Sequence, residues 1–479
     1  MQRWHDDLDR DAREKIEART RAIGRELLAQ FREDRHYPWQ RAWWDDRLMA
    51  WAMKDDWLKV ELFRFVDVLP MLQTDEEIAS HLDEYLSSVP TGLPWWLRTA
   101  LTSARHLAPA RRVVAWAARV GTSDFARRFI AGSNTEEVLA AARREREAGR
   151  SFTLDILGEA VISEQEADSY YRSYVDLIEQ VAPQVNQWPE VAQVDQGVTG
   201  ALPRFNLSIK LSALDCHFDP VDPEGVMERA GRRFRDLLRV AREHGAFINV
   251  DMESYEKKDL TLEIFQRVLL EEEFREVGDV GIVVQCYLHD APRDLERLAE
   301  WSAQRGKPVW VRLVKGAYWD YETVHARARG WPIPVFQRKW QSDAMFERAT
   351  RFVLRNHDLL RPAIASHNVR SVAHGLAVAE QLGMPRNGLE IQMLYGMADV
   401  MKRALAERGY RVRVYMPYGE LIPGMAYLVR RLLENTSDDS FLRAGVLEGA
   451  PPEELLQDPL DLAALLPPLE IGPPVAGGK

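Results

Sequence analysis

Between residues 151 and 435, short strand-like runs alternate with helix-length amphipathic stretches, and this alternation limits the fold more than any other feature of the chain. The runs are 152–157, 205–211, 247–251, 280–287, 308–314, 363–366, 389–393 and 411–416. Helical patterns such as 224–244, 294–305, 369–382 and 400–408 lie between them, and a last one, 422–435, follows the final run. Strands joined through helices run parallel, because each crossover returns the chain to the same end of the sheet. Eight β-then-α units in this length predict a closed (β/α)8 barrel, with an open doubly wound sheet as the alternative. No G-x-G-x-x-G follows the first run and no G-x-x-x-x-G-K-[ST] occurs, so a Rossmann site and a P-loop both lack support.

Residues 1–150 read as an all-helical arm or wrapping domain. Ile16, Ile23, Leu27 and Phe31 share one face of an amphipathic helix. Trp39, Trp43, Trp44, Trp51, Trp57, Trp95 and Trp96 crowd this part and suit a helical core and an interdomain face. No catalytic constellation occurs there. The barrel is expected over 151–445. The Pro-Pro pairs at 451, 467 and 473 give 446–479 the composition of a tail or linker.

Charge and cysteine usage narrow the function. The net charge is −11, which argues against a general nucleic-acid binder. The two cysteines, Cys216 and Cys286, form no CxxC pair and sit in no metal-ligand spacing, so a reduced cytoplasmic compartment is expected and no metal. No apolar run opens the sequence, so no signal peptide is expected, and no apolar run approaches the ~20 residues of a membrane span. Any contact with the inner face of a membrane is therefore expected to be peripheral.

A barrel gathers its reactive groups at the C-terminal ends of its strands. Those positions here hold Glu159, Lys210, Asp251, Gln285, Arg312 with Lys315, then Ser366, His367 and Asn368, and finally Tyr415; Arg430, Arg431 and Glu434 lie on the closing helix. Each has a plain structural reading alone: Lys210 snorkelling, Asp251 capping a helix, His367 satisfied in the core. Together they describe a site. Lys210, Arg430 and Arg431 suit a carboxylate, which arginine grips with a fork. Asp251 and Glu159 balance those cations, and Tyr415 and Tyr318 offer flat faces to a small ring. The stretch 309–320 is a strand that ends in Arg312 and Lys315, then the small pair Gly316 and Ala317, which lets backbone approach a ligand. With Gln285, Arg338, Lys339, His367 and Asn368, these cations supply donors for an isoalloxazine edge and a pyrophosphate. No Ser-His-Asp set or zinc spacing is evident, so a redox cofactor is expected to carry the chemistry.

The runs 208–214 (SIKLSAL), 311–320 (VRLVKGAYWD), 366–368 (SHN) and 427–435 (YLVRRLLEN) closely resemble the proline dehydrogenase family, most of all the flavin domain of bacterial proline utilization A proteins. The resemblance spans about residues 60–445. It implies a distorted, TIM-like (β/α)8 barrel that binds FAD, oxidises L-proline to Δ1-pyrroline-5-carboxylate and passes electrons to a membrane quinone. Carried over by motif, Lys210, Arg430 and Arg431 hold the proline carboxylate, Tyr415 and Tyr318 pack on the ring, Asp251 supports the site, and Glu159 pairs with an arginine of the closing helix. Gln285, Arg312, Lys315, Gly316, Ala317, Arg338, Lys339, Ser366, His367, Asn368 and Glu434 fall in the FAD site. Hydride moves from proline C5 to flavin N5 once the amine is neutral. The alternatives are a related imino acid such as hydroxyproline, or a non-catalytic barrel in an assembly, and a homo-oligomer fits either. Three departures stand out. A charged amphipathic helix stands where many relatives have a ribbon–helix–helix, so no DNA binding is expected. These 479 residues do not reach the aldehyde dehydrogenase half that the bifunctional relatives carry, so pyrroline-5-carboxylate dehydrogenase is expected in trans or on a longer protein. The loop 416–424 also differs from several relatives, which bears on selectivity.

Overall fold

The computed structural model describes residues 10–33, 61, 64–65, 68–87, 95–158, 161–420 and 451–465. Eight strands close into a parallel barrel: β1 (Ser151–Ile156), β2 (Phe205–Ile209), β3 (Ala246–Val250), β4 (Val280–Gln285), β5 (Val309–Val314), β6 (Leu360–Ala365), β7 (Glu390–Leu394) and β8 (Arg411–Tyr418). Each pairs with its neighbours in sequence, and β8 pairs with β1 through Thr153 and Tyr415, so the ring has no free edge. The open-sheet alternative is thereby excluded.

Period-2 alternation decides which side chain enters the barrel. Leu154, Leu207, Ile248, Ile282, Val311, Ile364, Ile391 and Val414 are fully buried in the apolar core outside the ring. Each contributes about 1.5–3 kcal/mol of hydrophobic stabilisation. The opposite parity is largely polar and also buried: Thr153, Asp155, Asn206, Ser208, Asn249, Asp251, Gln285, Arg312, Glu390, Gln392 and Arg413. The interior is cross-linked at two levels. Near the N-terminal floor Arg413 binds Glu390 at 2.9 Å and the Phe152 carbonyl at 2.7 Å. Thr153 donates to Asn206 at 2.6 Å. The upper level forms the site described below.

The helices divide into two groups. Helix α1 (Arg10–Glu33) lies on the barrel flank, burying Ile16, Ile23 and Leu27 against α12 (Val369–Gln381). The helices α2 (Asp75–Ser87), α3 (Trp95–His106) and α4 (Ala108–Phe129) pack with one another around Phe65, Ile78 and Ala115. Next, α5 (Thr135–Glu147) is capped by Asn134 and packs on β1, so the barrel body begins before residue 151. The other crossovers are α6 (Glu164–Asn186), α7 (Pro223–Glu243), α8 (Tyr255–Leu270), α9 (Ala291–Arg305), α10 (Trp319–Arg329), α11 (Lys339–Arg355) and α13 (Asp399–Glu407). The insertion before β2 carries a two-residue hairpin, Gln196–Gly197 with Gly200–Ala201.

The tail differs from its linker composition. Residues 451–465 include the short helices Pro452–Leu455 and Pro459–Leu465, and Leu456 is buried against α1. The reason is steric: a Cβ on Gly24 would lie 2.4 Å from Leu456, so the glycine opens the notch that Leu456 fills. Arg370 of α12 closes the junction, binding Glu17, Glu347 and the Leu456 carbonyl. The helix expected over 422–435, Trp39, Trp43, Trp44, Trp51 and Trp57, and the side chains of Phe31, Trp95 and Trp96 lie outside the described residues.

Candidate active site

The polar parity of β1, β2, β3, β5 and β8 meets at the C-terminal mouth. Asp251, at the end of β3, is its centre. It accepts from Arg312 Nη1 at 2.6 Å, Tyr415 Oη at 2.7 Å and Asn249 Nδ2 at 3.1 Å. Arg312 donates its other Nη to Ser208 at 3.0 Å, and its guanidinium lies 5.2 Å from the centre of the Tyr415 ring. One anion thus fixes a cation and a ring from strands far apart in the chain.

Beside this cluster is a second pair. Lys210 Nζ reaches Asp155 Oδ1 at 2.5 Å, and the Tyr174 hydroxyl of α6 accepts from the Lys210 backbone N–H at 3.2 Å. Burial raises the Asp155 carboxyl, against the pull of Lys210. Burial alone would lower Lys210, but Asp155, with Tyr174 and Asp251 nearby, holds its ammonium well above the ordinary value. The proton therefore stays on Lys210 to high pH. The Lys210 side chain keeps 28% of its surface open, whereas Asp155 keeps 4%. The pair thus presents a fixed positive charge at the mouth. Burial, followed by the charges of Asp155 and Asp251, raises the Tyr415 hydroxyl well above its usual range, so it remains a donor.

On the β4–β6 side, Gln285 donates to the Glu253 carbonyl at 2.8 Å. Its Oε1 is buried with no hydrogen-bond partner among the described residues, as is Arg312 Nε on the adjoining strand. A buried acceptor and donor left open in this way normally face water or a ligand. Lys315 binds Asp343 of α11 and lies 5.8 Å from the centre of the Phe346 ring. Lys339 joins the same carboxylate at 3.2 Å. Burial would raise Asp343, but the two lysines outweigh it and hold the carboxyl below its usual range. Gly316 has φ +132, and a Cβ there would lie 2.4 Å from the Tyr287 ring, so only glycine fits. Tyr318 packs on the Tyr287, Leu288 and Val335 cluster, and Ala317 lies between. Arg338 heads α11, where its backbone N–H is capped by Gln341 at 3.0 Å.

After β6, His367 Nε2 accepts from the Leu394 N–H at 2.9 Å, which leaves Nδ1 to carry the proton of the neutral ring. Asn368 caps α12 through Ser371 and donates its own N–H to Ser366 Oγ at 3.1 Å. The ring of His367 is thus satisfied by the backbone, and with the Asn368 cap it holds this loop at the mouth. Glu159, Arg430, Arg431 and Glu434 lie outside the described residues.

Sequence reasoning passed over Asp155, Tyr174, Ser208, Asn249 and Asp343. Asp155 had a usable signal: the one ionisable residue of a fully buried strand, at the parity of the barrel interior. Tyr174 and Asp343 had none, since each lies on a helix and only the fold turns it inward.

Charged groups interlocked at the C-terminal mouth of a closed parallel barrel define a (β/α)8 enzyme. Residues 138–444 match the family model "Proline dehydrogenase", and residues 17–129 match "Proline utilization A N-terminal domain". The chain belongs to the proline dehydrogenase family, and the likeness extends further toward the N-terminus than residue 60. Over 339 residues it is 31% identical to the bifunctional protein PutA of Klebsiella aerogenes, covering 69% of this chain and 25% of that protein. Proline dehydrogenase 1 of Bacillus subtilis is 27% identical over 71% of this chain and 97% of its own length. Among solved structures, proline utilization A from Bdellovibrio bacteriovorus inactivated by N-propargylglycine superposes with a TM-score of 0.86 at 40% identity, over 97% of this chain and 46% of that one. The chain thus spans about a quarter of the bifunctional curated relatives and less than half of that solved relative.

Proposed function

We propose that this chain oxidises L-proline to Δ1-pyrroline-5-carboxylate on bound FAD. The observation that carries the reading is the fixed, partly open ammonium of Lys210, set beside Tyr415 in one network of buried carboxylates. A small ring bearing a carboxylate needs this pairing of a cation with a flat face. Lys210, joined by motif by Arg430 and Arg431, holds the carboxylate. Tyr415 and Tyr318 bound the ring, Asp251 fixes Arg312 and Tyr415, and Glu159 pairs with an arginine of the 422–435 stretch.

The flavin is supported by chemistry as well as by family. Its isoalloxazine edge offers both donors and acceptors, and the open Gln285 Oε1 and Arg312 Nε supply the complements on adjoining strands. Gln285, Arg312, Lys315, Gly316, Ala317, Arg338, Lys339, Ser366, His367, Asn368 and Glu434 would hold it. The bound flavin supplies a hydride acceptor at N5 for proline C5. The protein's part is to immobilise the carboxylate and ring so that C5 is held at reacting distance, which converts an encounter into an oriented step.

A quinone takes the electrons onward, and a pyrroline-5-carboxylate dehydrogenase, in trans or on a longer protein, consumes the product. The location is cytoplasmic with peripheral membrane contact; among the described residues no helix is long and apolar enough to cross a membrane. The test is an anaerobic titration with L-proline. The visible flavin band is expected to bleach, more readily than with hydroxyproline. N-propargylglycine, which inactivated the Bdellovibrio relative, should abolish the bleaching. A folded protein that binds no FAD, or a flavin band indifferent to proline, refutes the proposal.

A further inference from the structure

A cluster outside the mouth network has no role in the proposed reaction. Past Lys210 the chain makes a short 3-10 turn, Leu211–Leu214, and then places Asp215, Cys216 and His217 in sequence. Three consecutive residues on a strand would point to opposite faces. Here residues 216–217 form a turn, and the donor atoms of all three converge within 4.8 Å of one another. Cys216 Sγ lies 3.1 Å from His217 Nδ1 and 3.7 Å from Glu164 Oε2, at the first turn of α6.

We infer that Asp215, Cys216 and His217, with Glu164 or water in the fourth position, form a binding site for a thiophilic divalent cation such as Zn2+. The distances carry the argument. With Zn–S of about 2.3 Å and Zn–N or Zn–O of about 2.0–2.2 Å, a tetrahedral ion separates its sulfur from each N or O ligand by roughly 3.6 Å. The observed 3.1 and 3.7 Å bracket that value. The carboxylates are also braced from behind. Arg233 holds Glu164 Oε1 at 2.7 Å, which leaves Oε2 toward the thiol. Arg229 grips the buried Asp215 at 3.0 and 3.1 Å. Partners of this kind orient metal ligands in built sites. The ligand set mixes sulfur, imidazole and carboxylate, which suits zinc and excludes the hard, all-oxygen preference of Mg2+ and Ca2+. A bound ion would tie the start of α6, and with it the connection from β1, to the segment that follows Lys210.

The chain has two cysteines, and Cys286 is fully buried, so alkylation of the native protein reads Cys216. The experiment uses the full chain with Zn2+ alone. It measures the rate of iodoacetamide modification and, separately, Zn2+ affinity by competition with a chromophoric chelator. One equivalent of Zn2+ is expected to protect Cys216. C216S and H217A are each expected to weaken that equivalent by about 100-fold or more. Mg2+ is expected to give no protection. Both variants lie at the surface turn, and an unchanged circular dichroism spectrum confirms their fold. Wild-type affinity no tighter than that of the C216S/H217A double variant, or alkylation that Zn2+ does not slow, overturns the inference.

Discussion

The Asp251–Arg312 pair gives the sharpest test of how the site is held together. Both side chains are nearly sealed, 11% and 4% exposed, and meet at 2.6 Å. Removing one member of such a pair strands the other's charge in the interior, which costs about 3–5 kcal/mol. D251A also removes the acceptor of Tyr415, and an unsatisfied buried hydroxyl costs about 1–3 kcal/mol more where water cannot reach it. Ser208 still accepts from Arg312 and offsets part of the loss. A net destabilisation of about 4 kcal/mol is expected for D251A. R312M alone leaves Asp251 with two neutral donors, Tyr415 and Asn249, and is expected to cost about 2–4 kcal/mol. In D251A/R312M neither charge remains. The double variant should therefore lose less than the sum of the two single losses, with a coupling of about 2–3 kcal/mol. Urea unfolding followed by tryptophan fluorescence measures all four corners of the cycle. Additive losses, with a coupling below about 0.5 kcal/mol, refute the view that this pair holds the mouth as a unit.

Further variants test the rest of the site and its flank. K210M removes the ammonium at the mouth and strands Asp155, and proline affinity measured by flavin bleaching should fall by about 100-fold, the loss of a buried charged partner. G316A must accept φ +132 and a Cβ pressed on the Tyr287 ring; a loss of about 1–3 kcal/mol in thermal unfolding, with faster release of flavin, is expected. Asp343 has a depressed carboxyl, so its contribution is complete above its unfolded value of 3.8 and lost as the pH falls through the lower folded value; D343N should flatten that acid limb of the urea midpoint. G24V fills the notch of Leu456, and limited proteolysis should then cut within 451–465 several-fold faster.

Much of the architecture was legible because period-2 alternation survives in every strand. In β5, Val309, Val311 and Leu313 take the core parity while Trp310 and Arg312 turn into the ring. The eightfold βα repeat leaves few ways to bury both faces. Two things escaped a linear reading, each for a physical reason. A linear reading sets Asp251 and Glu159 against the cations of the mouth and does not single out a partner for Lys210. Closure instead brings it against Asp155, two residues inside the mouth, because β1 and β2 pair with Asp155 opposite Ser208. The tail looked like linker because its prolines and acidic residues carry no periodicity, yet one leucine and one glycine notch suffice to dock it.

These cases share one cause. Sequence parity states that Asp155, Ser208, Asp251, Arg312 and Tyr415 all point inward, but not which of them touch. Contacts depend on the stagger between strands, set by the closure of β8 on β1 with Tyr415 opposite Thr153. A one-residue slip there would send Tyr415 out of the ring and leave Asp251 with Arg312 and Asn249 alone. The apolar residues of opposite parity forbid that slip, since it would drive Val414 and Met416, both fully buried in the outer core, into the polar interior. The outer core of the barrel is therefore what specifies the polar network of its mouth.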